Sequence, residues 1–356
     1  MSGINPEQLH FLLQSAIQSP SADNRFPLRF ELDGQCILIH HAQTEWGESG
    51  YKRVLAMLSL GALAENIAVA ATRFNIAADF SLLPDSGQPG LVLRVKLQSD
   101  ETQPDPLWQA IPLRHTSRQV WFRGPPPNAD ELAQLQTAVG TQPASQLHWL
   151  DAAPARKHVL ALMRRAETAR FRDQRLHEEL FSAIRFDIGW HRSCEEGLPP
   201  GALGVEPPLR GLFALLRHWP VMRLANFVGA HHLLGFRSCY LPCRLAPNLG
   251  LLTVKKIDNA SVFAAGRAFQ RLWLTATQQG RDLQPMPASA LYALKGAEAE
   301  GVPAALHHTL VAGWQARLGA VTPLMLFRMG RAASPSPITA GRPQPHLIGN
   351  GFPAGD

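Results

Sequence analysis

The sequence predicts an α+β fold made of two related halves, each a mixed sheet flanked by helices, and three observations lead there. At 356 residues the chain is long for one compact core and comfortable for two. Helical and strand-like stretches interleave from the start. A segment beginning at Gly61 can also be laid over one beginning at Gly266, as if one architecture had been used twice.

The first element is a helix from about Pro6 to Ser19, with Leu9, Leu12, Leu13 and Ala16 on one face and Pro20 stopping it. The runs LRFEL (28–32), CILIH (36–40) and LVLRVKL (91–97) alternate as strands do. Between them Val54 to Ala71 is apolar enough to raise the question of a membrane span, but Glu65 and Asn66 interrupt it. An ionised residue near the centre of a span costs about 2.5–3.5 kcal/mol, so a helix buried inside the protein is the better reading. FRGPPPN (122–128) punctuates the chain, and a helix resumes over Asp130 to Val139 behind an Asn128 cap.

A longer amphipathic helix is expected over about Ala155 to Phe186, its stripe of Val159, Leu162, Met163, Ala166, Leu176, Leu180 and Ile184 reading as core. From 187 to 250 the chain mixes Pro and Gly with an apolar tract containing Phe213, Leu215, Leu216, Trp219 and Met222. So much apolar surface beside so many helix breakers is expected to fold over something, as a lid or arm. In the repeat, Gly61 lies over Gly266, Ala71 over Ala276 and Thr72 over Thr277. The second copy then begins near Arg114, giving halves 1–112 and 113–356 with 187–250 inserted in the second.

Composition narrows the function. Hydrophobic residues make up 46% and charged residues 17%, a balance that excludes wholesale disorder. The net charge of +6 is spread along the chain with no basic run interleaved with aromatics, so no nucleic-acid partner is expected; with Val54 to Ala71 read as a buried helix, no membrane is expected either. Cys36, Cys194, Cys239 and Cys243 follow no disulfide spacing, and the first residues lack a secretory pattern, which together suggest the cytoplasm. Cys239 and Cys243 near His231 and His232 invite a metal, but no second ligand pair accompanies them, so none is expected.

Three stretches carry a family resemblance. SPSADNRFPLRF from Ser19 is similar to A-P-S-x-x-N-x-Q-P-W-x-F of the nitroreductase superfamily: Pro20, Ser21, Asn24, Pro27 and Phe30 match, while Phe26 and Leu28 replace Gln and Trp. Arg114-His115-Thr116-Ser117-Arg118 resembles the R-x-[ST]-x-R opening of a nitroreductase half. Spaced four apart on an emerging helix, two guanidinium groups can converge on one phosphate, in planar bidentate contacts that Lys cannot make; a solvated basic turn is the plainer alternative. TPLMLFRMGRAASPSPITAGRP resembles the closing strand and R-R-P tail, with Gly341 in place of the first Arg and Arg342-Pro343 retained.

The tandem layout resembles the Acg-like branch, in which two nitroreductase halves share one chain. The resemblance implies an FMN site in which Pro20, Ser21 and Asn24 of the first half face the flavin while Arg114, Thr116, Arg118 and Arg342 bind its phosphate. Each half has lost what the other keeps: only the first has the loop, only the second the arginines, with GTQPASQLHW where its loop should come. One pseudo-dimeric chain, or a homodimer of such chains, then builds the site.

The function implied by this resemblance is that of an FMN-dependent oxidoreductase moving hydride or electrons to or from a small conjugated substrate, with NADH or NADPH as donor. The hydride chemistry belongs to the cofactor, and no protein acid, base or nucleophile is singled out. A different class of reading is a flavin-storage protein whose lid occludes the ring, which the less polar Phe26 and Leu28 would suit. A third is a non-flavin interaction module on a decayed fold, suggested by Gly341.

Overall fold

The computed structural model describes residues 4–42, 50–84, 87–88, 90–101, 103–333 and 341–348; residues 334–340 of the C-terminal motif lie outside them. Asn5 starts α1 (Pro6–Ile17) with a capping box to Gln8, and Leu9, Leu12, Leu13 and Ala16 are buried as the periodicity requires. β1 (Leu28–Asp33) and β2 (Cys36–His41) form a hairpin in which Asp33 faces Cys36 across two residues. Gly34 takes φ 60° there, a left-handed conformation that costs glycine nothing. After α2 (Tyr51–Thr72), β3 (Ile76–Leu82) and β4 (Leu91–Ser99) complete an antiparallel sheet of order β1-β2-β4-β3.

The second half opens with α3 (Ala129–Gly140), where Asn128 and Glu131 form another capping box, and continues through β5 (Ser145–Trp149), α4 (Ala153–Arg172) and α5 (Gln174–Ser182). The single helix expected over 155–186 is therefore broken. Asp173 has extended backbone (ψ 134°) and its carboxylate accepts from Leu176 N at 3.2 Å, ending one helix and capping the next. Short helices α6 (Arg210–Leu215), α7 (Trp219–Asn226), α8 (Ala230–Gly235) and α9 (Leu241–Leu245) come next.

The expected insertion 187–250 runs too far, because β6 (Asn248–Val254) has already begun by its end. This strand is buried along its whole length, and a run apolar on both faces lacks the alternation that signals a strand. Then come α10 (Asn259–Gln278), β7 (Asp282–Pro285), α11 (Ala288–Leu291), α12 (Ala304–Leu318) and β8 (Thr322–Gly330), closing a sheet of order β5-β6-β8-β7. Both sheets thus have the same strand order, with a long helix between the second and third strands.

Those two helices, α2 and α10, pack against each other. At their crossing a Cβ on Gly61 would strike the Phe263 carbonyl oxygen and lie 2.9 Å from Gly266 Cα, and one on Gly266 would strike the Leu58 carbonyl oxygen. One turn on, buried Glu65 accepts from Arg267 Nε (2.9 Å) and Arg271 Nε (2.5 Å), while Asn66 donates to the Ser15 carbonyl (2.8 Å) and accepts from Gln270 (2.6 Å). The two polar residues that interrupt the apolar helix are thus satisfied from α10 and α1. By length and composition α2 could cross a membrane, yet 78% of its most apolar stretch is buried inside this fold.

Two segments link the sheets further. Thr116 forms a parallel bridge to Leu283 of β7, and the C-terminal stretch lies along β1, where Phe30 N donates to His346 O (2.8 Å) and Ile348 N to Phe30 O (2.7 Å).

Because the added methyl at the crossing meets backbone and not a movable side chain, Gly61→Ala is expected to cost about 1–3 kcal/mol or more. Gly140→Ala, with open space around its Cβ, should stay within about 1 kcal/mol of the parent and on the stabilising side. Urea unfolding of both variants measures this, and an unchanged midpoint for Gly61→Ala would rule out the close approach.

Candidate functional site

A cavity of about 840 Å³ lies alongside the two sheets' central helices and under the short helices of the second half, toward the upper end of the roughly 300–1,000 Å³ usual for small-molecule sites. Leu58, Ser59 and Ala62 of α2 form one wall, Phe269 and Trp273 of α10 another. Pro20, Ser21, Asn24, Arg114, Thr116, Arg118 and Arg342, the seven residues expected to bind a cofactor, all line it.

The loop at 18–24 is shaped by its backbone. α1 ends at Ile17, and Asp23 (φ 52°) and Asn24 (φ 56°) then take consecutive left-handed conformations in one 3₁₀ turn, a geometry that Asn and Asp tolerate better than other non-glycine residues. Asn24 is held by its own side chain: Nδ2 donates to the carbonyls of Glu195 (3.1 Å), Gly197 (3.1 Å) and Gly341 (3.3 Å), and Oδ1 accepts from Arg342. The amide is thus engaged with protein and fixes the loop, where the family resemblance would have it facing a flavin. Ser21 Oγ has no partner among the described residues although it is buried.

The stretch 114–118 is not an emerging helix. Arg114 N bonds back to Ala110 O (3.0 Å), and the chain then runs outside any helix, pinned by the Thr116–Leu283 bridge and by Ser117 N to Leu283 O (3.2 Å). Arg114, His115, Thr116 and Arg118 all line the cavity from this segment, so the convergence comes from its path along β7 and not from helical spacing.

The arginines differ in how much of each is spoken for. Arg114 Nη2 donates to Gln18 O (2.9 Å) and its guanidinium lies 4.5 Å over the Trp273 ring, but Nε is buried and unpaired among the described residues. Arg342 Nη2 donates to Ser19 O (2.7 Å), so both cations sit at the C-terminal end of α1, where carbonyl dipoles favour them. Arg118 donates to no described residue. Burial, then the nearby Arg342, lowers Arg114 to about 9, and burial lowers Arg342 to about 10. Burial also lowers Arg118, with Asp23 opposing it. None of the three is in an ion pair among the described residues, and all are half-buried with Asp23 near Arg118 as the one carboxylate that acts on them, so the cavity gathers positive charge that an anion would stabilise.

Several polar residues of the cavity gave no sequence signal. Asp23 stands in the loop motif as a variable position. It is exposed toward the cavity, and desolvation by the surrounding protein pushes its carboxyl above the usual range against the pull of Arg170, Arg25 and Arg118. Arg170 of α4 pairs with Glu167 (3.4 Å), and Tyr51 donates to Glu179 of α5 (3.0 Å). Burial and then the adjoining carboxylate hold the Tyr51 hydroxyl well above its ordinary range. These groups come from α2, α4 and α5, far apart in sequence, so no spacing could have joined them.

Phe26 and Leu28 do not line the cavity. Phe26 is buried against Phe30 in the main core, so the two substitutions leave the cavity's polarity unaltered. Residues between 198 and 242 form one side of the cavity, among them Leu203, Leu212, Phe213 and Leu216. Their inner side packs into a second apolar cluster with Phe171, Phe181 and Met222. Among the described residues no three His, Cys, Asp or Glu side chains gather as a metal site.

No protein-family profile matches the chain, and no curated protein matches it. Solved structures do. The FMN-dependent nitroreductase NfnB from Mycobacterium smegmatis, in complex with NADPH, aligns at 16% identity over 64% of this chain and 88% of that one, with a TM-score of 0.35. A nitroreductase with bound FMN from Desulfitobacterium hafniense aligns at 16% identity over 69% and 95%, TM-score 0.33. One with bound FMN from Bacteroides fragilis aligns at 12% over 70% and 96%, TM-score 0.36. At these values the functional reading has to rest on the chain's own residues.

Proposed function

We propose that the chain is an FMN-dependent oxidoreductase of nitroreductase type that binds one flavin in the cavity between its halves. The observation that carries this is the set of half-buried arginines in no ion pair among the described residues, Arg114, Arg118 and Arg342, beside the unpartnered Ser21 Oγ in a cavity of flavin-holding size. The donor set suits a phosphate with a planar polar ring attached. Arg118, with no described acceptor, and Arg114, with Nε unused, would hold the phosphate; Arg342 adds charge while keeping the Asn24 loop in place. Ser21 would offer its hydroxyl to the ring, and Leu58, Phe269 and Met325 would exclude water from it.

FMN, when bound, supplies reversible hydride and electron transfer between a donor such as NADH or NADPH and a small conjugated acceptor. The chain's contribution is orientation and charge. Residues 1–112 and 113–356 are read as the two halves, supported by the matching strand orders and by the crossing of Gly61 on Gly266. On this reading a second complete set of loop and arginines does not exist, so purified protein should carry no more than one FMN per chain. Absorbance against protein concentration gives the ratio, and a value near two would refute the shared site. Anaerobic NADH or NADPH should then bleach the flavin within seconds; a flavin that stays oxidised would instead make this a storage protein beneath the helices of 198–242.

A hydrogen bond to a charged group contributes roughly 1.5–3 kcal/mol, so Arg118→Ala should weaken FMN binding by about one to two powers of ten. Arg118→Lys should restore only part of this, a point charge replacing a fork. Unchanged affinity in Arg118→Ala, measured by flavin fluorescence, would exclude the phosphate site.

Asp23 adds a pH dependence. A phosphate near Arg118 brings negative charge toward Asp23, raising its carboxyl further, so the protonated carboxyl favours the flavin complex and affinity falls as pH rises through the titration of Asp23. Asp23→Asn should remove that fall and leave the protein binding at least as tightly at neutral pH. A pH titration of flavin affinity that is the same in both proteins would remove Asp23 from the site.

A further inference from the structure

We propose that the outer face of α6, α7 and the turn that follows α7 docks on an anionic lipid bilayer, a property separate from the flavin reading and independent of it. Leu215, Leu224, Phe227 and Val228 are 58%, 70%, 84% and 89% exposed, and none of them lines the cavity. Val221, Leu224 and Val228 recur at helical spacing along α7 and the turn after it, with Phe227 beside them at the tip before α8. The opposite side is fixed: Met222 and Leu216 are buried in the second apolar cluster with Phe171 and Phe181. The exposed side chains are therefore carried by seated helices and form an apolar surface that a folded protein rarely leaves facing water.

Charge identifies the occupant. Residues 207–247 contain five arginines (Arg210, Arg217, Arg223, Arg237, Arg244) and no Asp, Glu or Lys; Arg237 is paired with Glu206 at the edge of this stretch, which leaves four with no carboxylate partner among the described residues. Spaced several residues apart, these arginines form no basic run, which is why the sequence alone suggested an even spread. Arg210 and Arg217 lie over the rings of Trp190 and Phe186, each at 5.3 Å, and Arg223 is exposed beside Leu224. Arginines on the same helices as protruding apolar side chains, with no acidic residue between 207 and 247, match an interfacial segment on acidic headgroups, with aliphatic and aromatic residues in the acyl boundary and guanidinium groups at the phosphates. A second copy of this chain fits worse: an isologous contact would set two strongly cationic faces against each other. The expectation of no membrane partner rested on the absence of a spanning helix, and a surface-bound helix needs none.

The test is flotation of the full chain with vesicles of mixed phosphatidylcholine and phosphatidylglycerol, against pure phosphatidylcholine. The protein should float with the mixed vesicles alone and be released by molar salt. Phe227→Ser combined with Val228→Ser should weaken partitioning about tenfold or more, with the thermal midpoint recorded to show that the variant is folded. Arg223→Glu, a surface change that leaves the apolar tip in place, should do so by about tenfold. Equal or no flotation with both vesicle types overturns the proposal. So does sedimentation showing a dimer that the Phe227→Ser, Val228→Ser variant abolishes, since the face would then be a contact between copies of the chain.

Discussion

The contact on which the rest depends is the glycine crossing of α2 and α10. Two backbones that meet with no Cβ between them bring the sheets' central helices close enough for Glu65 to reach Arg267 and Arg271 together. The carboxylate is buried while both guanidiniums remain partly exposed, so its desolvation is offset by two charge-assisted hydrogen bonds. Arg271 continues to Asp105 at 2.7 Å, which fastens the chain just before it enters the 114–118 stretch. The same helices present Leu58, Ala62, Phe269 and Trp273 to the cavity, so the spacing set by two glycines also sets the width of the site.

The cavity's electrostatics arise from an imbalance in how arginines are distributed. Arg170 has Glu167, and buried Arg281 has Glu131 at 2.5 Å. Arg114 and Arg342 have carbonyl oxygens at the end of α1 and no described carboxylate. Carbonyl dipoles solvate a cation without neutralising it, so the positive potential survives in the cavity. The cations are thus positioned by the fold before any ligand arrives, which lowers the ordering cost of binding.

Elements legible in the sequence had either local periodicity or a local cap. α1, β1, β2, β4 and the Asn128 cap all did, α2 was legible instead as an unbroken apolar run, and their observed ends fall within a few residues of expectation. β6 did not, since burial on both faces erases its alternation, and Asp173 was hidden because a capping residue in the middle of an amphipathic stripe leaves the stripe unbroken. The site was legible where residues sit in one motif and illegible where they meet through tertiary contact: Tyr51 and Glu179 touch across 128 positions. The bonds that hold Asn24 were illegible for the same reason. Its sequence context shows a loop residue, whereas the acceptors that occupy its amide lie 171 to 317 residues away.

That last feature governs the order in which the molecule can assemble. A left-handed turn at Asp23 and Asn24 is locally unfavourable, and the bonds that compensate it come from residues near 195 and 341. Closing contacts across such separations is slow, because chain entropy is lost before any of it is repaid. The hairpin of β1 and β2, by contrast, closes over a short stretch of chain. In a growing polypeptide the first sheet is therefore complete long before its neighbouring loop can settle, and the loop reaches its final shape only when Arg342 has been made.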